Sequence, residues 1–138
     1  LKLRKKNRKS GTLGGVPRSL PSMVKAYRIG EKAAATGFDW QRREDVWDKV
    51  REEIAEVETE MKRSDAAATE AEIGDLFFAL INVCRLYGID PEAALEHTNK
   101  KFISRFEYME QQAVAEGHSL HELDTERMEE LWQQAKQR

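Results

Sequence analysis

Two short acidic patterns are the residues with the most obvious chemistry. The first is Glu52-Glu53-x-x-Glu56 and the second is Glu72-x-x-Asp75. On a helix, residues three and four apart share a face, so Glu53, Glu56 and Glu60 run as one row. That row is displaced by one position from the apolar row Ile54, Val57, Met61 and is expected to flank the core. Glu72, Asp75 and Asn82 likewise sit one position before Ile73, Leu76 and Val83. Two antiparallel helices with a short connection would bring both rows to one edge. Carboxylates so crowded repel each other, and a divalent cation is the simplest compensation. A set made only of carboxylates is a hard oxygen site, suited to Mg²⁺, with Mn²⁺ as a substitute. The bland alternative is a solvated acidic face in a chain whose charged fraction is 35%.

Further along, Lys101 and Arg105 lie one turn apart, again one position off an apolar row, Phe102, Phe106, Met109. Such a pair suits phosphate oxygens, or it is an ordinary surface pair. Trp40 and Trp132 fall at element ends, where a ring can stack on a base or anchor a core or interface. Other chemistries fail on the residues. His118-Ser-Leu-His121 has the spacing of metal ligands but lies in a loop without further Cys or His nearby. A di-iron bundle needs Glu-x-x-His on two helices, and neither copy is present. There is no Gly-x-x-x-x-Gly-Lys loop. Cys84 lies in an apolar run and reads as core.

The elements that must carry these residues are helices. Ser22 is the expected N-cap of a helix to about Thr36, ended by Gly37. A second helix over about 42–63 has the stripe Trp47, Val50, Ile54, Val57, Met61, spaced three and four apart. Ser64-Asp65 interrupt it. A third helix spans about 67–87, with Ile73, Leu76, Phe77, Leu80, Val83, Cys84 and Tyr87 apolar and Gly88 as its C-cap. Asp90-Pro91 opens a fourth, reaching about Ala115. A fifth starts near Thr125, with Met128, Leu131, Trp132 and Ala135 on one face. No segment alternates with period two, so the fold class is all-α, a helical bundle.

Composition narrows the class further. The 138 residues suffice for one domain with its own core, and no apolar run is long enough to cross a bilayer. One cysteine cannot form an internal disulfide, and no apolar stretch follows the basic start, so a cytoplasmic protein without a leader is expected. Residues 1–9 carry six basic side chains. Without them the chain has 17 basic residues against 25 acidic ones, a net charge near −8. The organisation expected is a basic linker or tail over 1–20 and one domain over 21–138. An acidic body repels nucleic acid, so nucleic-acid binding could come only from the tail.

Both acidic patterns together resemble the signature of the MazG family of all-α nucleoside triphosphate pyrophosphohydrolases. The resemblance extends to GVPRSLPSMVKAYRIGEKAAATGFDW (15–40), EIGDLFFALINVCRLYGIDPEAAL (72–95), NKKFISRF (99–106) and MEELWQQAK (128–136). It covers about residues 15–137. The resemblance implies a four-helix-bundle-like fold with an added C-terminal helix, and Mg²⁺-dependent hydrolysis of (deoxy)nucleoside triphosphates to monophosphate and pyrophosphate, in a nucleotide house-cleaning role. It implies Glu53, Glu56, Glu72 and Asp75 as metal ligands, Lys101 and Arg105 at the phosphates, and Trp132 at the nucleotide. Glu52 fits a water-orienting role, so Glu52 and Glu53 are the catalytic candidates. Lys49 and Asn82 complete the candidate substrate-binding residues. A homodimer is implied as well, and the basic start is similar to the linker before the second copy in tandem members. The competing class is a catalytically degenerate bundle that binds a partner or a nucleic acid.

Overall fold

The computed structural model describes residues 11–138, so the basic run lies outside the described residues. Five α-helices and no strand occur among the described residues: α1 (Ser22–Ala35), α2 (Val46–Lys62), α3 (Ala66–Leu86), α4 (Pro91–Ala115) and α5 (Thr125–Lys136). Two 3₁₀ turns, Arg43–Asp45 and Leu120–Glu122, precede α2 and α5. The chain divides into two compact units, the first ending at Glu92 and the second spanning Ala93–Arg138.

In the first unit, the sequence chemistry at the helix ends explains where the helices stop. Pro21, extended at φ −54° and ψ 145°, occupies the N-cap of α1 where Ser22 was expected. Its carbonyl accepts the first helical bond from the Lys25 amide at 2.9 Å, so Ser22 falls inside the helix and caps nothing. At the other end Gly37, with φ 99°, lets the Phe38 amide reach back to the Ala33 carbonyl. The second helix begins later than its periodicity suggested, because residues 43–45 tighten into a 3₁₀ turn. Asp65 caps α3 by accepting from the Ala68 amide at 3.1 Å. Gly88, at φ 69°, ends that helix through the Ile89 amide and the Cys84 carbonyl, 2.8 Å apart. Asp90 then accepts from the Glu92 amide at 3.0 Å and starts α4 at Pro91.

Helices α2 and α3 form the hairpin at the centre of this unit, and α1 packs on α3. The core consists of Val46 and Val50 against Ala79 and Val83, with Trp40, Leu76, Leu86 and Tyr87 at its margin. The buried face of α2 is therefore Val46, Val50, Glu53, Val57. This corrects the expected stripe: Val50 and Val57 are buried, whereas Trp47, Ile54 and Met61 are exposed. The small side chains of Ala79 and Val83 admit a close approach of α2, and the valine row meets them. The bulkier row lies one position round the helix. Glu53 thus sits within the buried row, only 3% exposed, rather than beside it. On α3 the same rotation buries Ala79, Ile81, Asn82 and Val83 and leaves Phe77 and Leu80 exposed.

In the second unit α5 runs antiparallel to α4. Trp132 lies 5.5 Å from Phe102 between ring centroids, and Arg127 near the start of α5 pairs with Glu116 just after α4. Met109 and Ala113 on α4 and Leu131 and Ala135 on α5 are buried, while Phe102 and Phe106, expected in the core row, are exposed. Asp124 caps α5 by accepting from the Arg127 amide at 2.8 Å.

Candidate functional site

The α2–α3 hairpin brings the two acidic patterns together. One oxygen each from Glu53, Glu56 and Glu72 lies within 4.8 Å of the others. Glu53 Oε2 and Glu72 Oε2 are buried without a hydrogen-bond partner. An unpaired buried carboxylate oxygen is costly, so both oxygens await a positive partner. Without one, the cluster must share protons. Two carboxylates can hydrogen-bond only if one is protonated, and the Glu72 carboxyl is pushed up to about 7. The hydrogen bond with Glu56 is the first cause, followed by burial and by the charges of Glu56 and Asp75.

Lys49 supplies the nearest fixed positive charge. Its ammonium lies 2.8 Å from Glu53 Oε1 and 3.5 Å from Glu52 Oε2. Glu53, first, and then Glu52 hold that ammonium above the usual lysine range. Glu53 therefore keeps Oε1 on Lys49 and leaves Oε2 buried without a partner. Glu52 is exposed and outside the three-carboxylate cluster, as is Asp75. Asp75 instead lines a cavity of about 360 Å³ together with Glu53, Lys49, Asn82, Phe38, Trp40 and Phe78. Glu60, at the end of the expected acidic row, pairs with Arg63 at 3.4 Å.

Asn82 is buried. Its amide nitrogen donates to the Phe78 carbonyl at 3.3 Å and its oxygen accepts from Arg85 Nε at 3.0 Å. Both ends of the amide thus have partners within the chain. Arg85 in turn holds Asp39 with both terminal nitrogens, at 2.7 and 3.1 Å, and keeps the Asp39 carboxyl below the usual range. Phe38 and Phe78, which line this cavity, and Asp39 and Arg85, which pair with each other beside Asn82, are residues that the sequence reading missed. Only the three-residue spacing of Arg85 from Asn82 on one helix face could have pointed there.

The second unit carries its own basic pocket. Lys101, Ser104, Arg105, Tyr108, Ala135 and Arg138 line about 350 Å³. The Arg105 guanidinium lies 5.7 Å from the centre of the Trp132 ring, and that of Arg138 lies 4.5 Å from the Tyr108 ring. The histidines expected to be no ligand site serve the turn before α5. His118 Nδ1 is 3.2 Å from Glu122 Oε2, and Ser119 and Glu122 cap each other reciprocally. Cys84 is half-buried, and burial pushes its thiol up, away from nucleophilic character.

Comparison with known proteins adds the family. Residues 41–109, half of the chain, match the model of the MazG nucleotide pyrophosphohydrolase domain. The nucleoside triphosphate pyrophosphohydrolase/pyrophosphatase MazG of Thermotoga maritima is 37% identical over 132 residues, which are 96% of this chain and 51% of that protein. The nucleoside triphosphate pyrophosphohydrolase of Escherichia coli K12 is 44% identical over 126 residues, 90% of this chain and 48% of that protein. The uncharacterized protein YabN of Bacillus subtilis is 50% identical over 68 residues, 49% of this chain and 14% of that protein. The chain spans about half the length of the two pyrophosphohydrolases. The matched segment contains both acidic patterns and the helices that pair them, and the chain belongs to the MazG nucleotide pyrophosphohydrolase family.

Proposed function

We propose that this chain hydrolyses nucleoside triphosphates to monophosphate and pyrophosphate, with a divalent cation held by Glu53, Glu56, Glu72 and Asp75. The observation that carries the reading is the pair of buried, partnerless oxygens on Glu53 and Glu72 within a cluster of three carboxylates. The donors are all oxygen, which suits Mg²⁺ or Mn²⁺ better than a softer ion. The chemistry supplied by such a cation is neutralisation of phosphate charge and of the charge that develops on departing pyrophosphate.

The protein's own groups carry the remaining roles. Lys49 fixes the Glu53 carboxylate through the 2.8 Å ion pair and leaves its other oxygen for the cation. Glu52, exposed one residue before Glu53, is assigned to orient water and accept its proton on a carboxylate oxygen. The water oxygen forms a bond to the α-phosphorus as the bond from that phosphorus to the bridging oxygen breaks, and the electron pair leaves with pyrophosphate. In the second unit, Lys101 and Arg105 are assigned to phosphate oxygens and Trp132 to the nucleotide. Asn82 is assigned to hold the cavity wall beside the substrate.

The catalytic domain on this reading is 21–138, with 1–20 as a basic linker. The exposed apolar rows of α2 and α3 suit a second copy, so the active form is a homodimer. The biological role is removal of unwanted nucleotides in the cytoplasm. The test is product analysis by anion-exchange chromatography after incubation with each common NTP and dNTP, with Mg²⁺ and with EDTA. Monophosphate plus pyrophosphate, formed only with metal, is the expected result. Diphosphate plus orthophosphate would mean attack at the wrong phosphorus. No product from any nucleotide would favour a degenerate binding module, and salt-sensitive nucleic-acid binding lost on deleting residues 1–9 would then identify its ligand.

A further inference from the structure

We propose that Arg85 is a positioning residue that fixes the Phe38–Trp40 turn as the aromatic wall of the carboxylate cavity, and so sets how tightly the base of a nucleotide is held. The inference rests on the pyrophosphohydrolase reading and adds a residue and a role to it.

The turn has little to hold it locally. Gly37 ends α1 at positive φ and leaves Phe38 83% exposed. Within the turn, the Asp39 amide reaches only the Gly37 carbonyl and the Trp40 amide only the Asp39 side chain. Trp40 packs at the margin of the core, and the polar tie to the rest of the first unit comes from Arg85, 46 residues further along. Its side chain is 10% exposed, and all three guanidinium nitrogens are engaged: two on Asp39 and Nε on Asn82. A forked pair of this kind defines direction as well as distance.

The support reaches a third element. A Cβ on Gly30 would lie 2.6 Å from Asn82 Oδ1 and 2.8 Å from Arg85 Nε. α1 can therefore approach the clamp only because residue 30 has no side chain. Asn82 is braced from the other end by the Phe78 carbonyl. Gly30, Asn82 and Arg85 thus form a packed support for a turn whose own rings face the cavity.

That cavity has two chemical characters. Phe38, Trp40 and Phe78 offer aromatic surface, and Glu53, Asp75 and Lys49 offer charge. A ligand with a flat ring and a polyphosphate chain matches both, and inorganic polyphosphate matches only the second. Loosening the turn moves the aromatic surface and leaves the carboxylates on their helices. The consequence is a weaker hold on the base, with metal binding and the chemical step preserved.

The test compares wild-type protein with Arg85→Lys, which keeps the charge and loses the fork. The expected result is a KM for the best nucleoside triphosphate raised about tenfold with kcat within about threefold. Mn²⁺ affinity by calorimetry and inhibition by inorganic tripolyphosphate should stay at wild-type values. Should Arg85→Lys not fold, Asp39→Asn in the turn carries the same expectations. An unchanged KM, a fall in kcat at constant KM, or an equal weakening of tripolyphosphate inhibition would overturn the inference while leaving the pyrophosphohydrolase reading intact. A wild-type protein that hydrolyses no nucleotide overturns both.

Discussion

Glu72 is a side chain whose charge depends strongly on its neighbours. In the folded, metal-free protein it keeps its proton up to about pH 7, whereas the unfolded chain releases it near 4.5. Between those values the folded form binds more protons, so its stability falls as pH rises through that window. Glu72→Gln removes the titration. In EDTA, its melting temperature should exceed that of the wild type at pH 8 and match it near pH 5, which thermal melts at the two pH values would check. Turnover with Mg²⁺ should fall at least about a hundredfold, because a lost ligand costs no less than a lost supporting contact. A variant melting far below wild type at pH 8 would show that Glu72 is a stabilising partner rather than a repelled one. Asp75 is the contrasting carboxylate: exposed, outside the cluster, yet on the same cavity as Glu53.

Among the elements, the α2–α3 hairpin sets the distance between the acidic patterns. Its connection depends on Ser64 at φ 57° and on the Asp65 cap of α3. Asp65→Ala should destabilise the protein by about 1 kcal/mol, measured by denaturant unfolding, because the Ala68 amide loses its partner at the helix start. Asp65 touches none of the proposed site residues, so KM and kcat should be unchanged at a temperature where the variant is folded. A large kcat loss in the folded variant would mean that the hairpin register transmits to the carboxylates. The rotation of α2 matters as much as its ends. Val46, Val50, Glu53 and Val57 face inward, so Glu53, alone of the clustered α2 carboxylates, stands in the packing row. A carboxylate in a packing row is held by its neighbours' volume and cannot swing into water.

For the whole chain, the notable feature is how much apolar surface stays exposed. Trp47, Ile54 and Met61 on α2 and Phe77 and Leu80 on α3 form faces of the first unit that water meets. Burying such a face is worth about 25 cal/mol per Å², which favours self-association of a chain of this size. Light scattering after size exclusion should give a mass near twice 15.9 kDa. Ile54→Lys with Phe77→Glu should shift that mass toward one copy. A monomeric wild type would leave those faces for another partner and remove the homodimer from the proposed function.

The acidic patterns, the five helices and the boundaries at Gly37, Gly88 and Asp90 were legible in residue types and spacing. Periodicity and capping act over a few residues, so one chain read alone carries them. The family resemblance was legible for the same reason, since its motifs are local strings. Which row of α2 faces inward was not legible. Two adjacent rows were both apolar, and the choice rests on the small Ala79 and Val83 side chains across the hairpin. Nor was the Asp39–Arg85 clamp, because its partners stand 46 residues apart and meet only after Gly30 lets α1 close on α3. Spacing along a helix can say which residues share a face. Which face is buried, and which distant charge an arginine meets, depends on side-chain volumes brought together by folding.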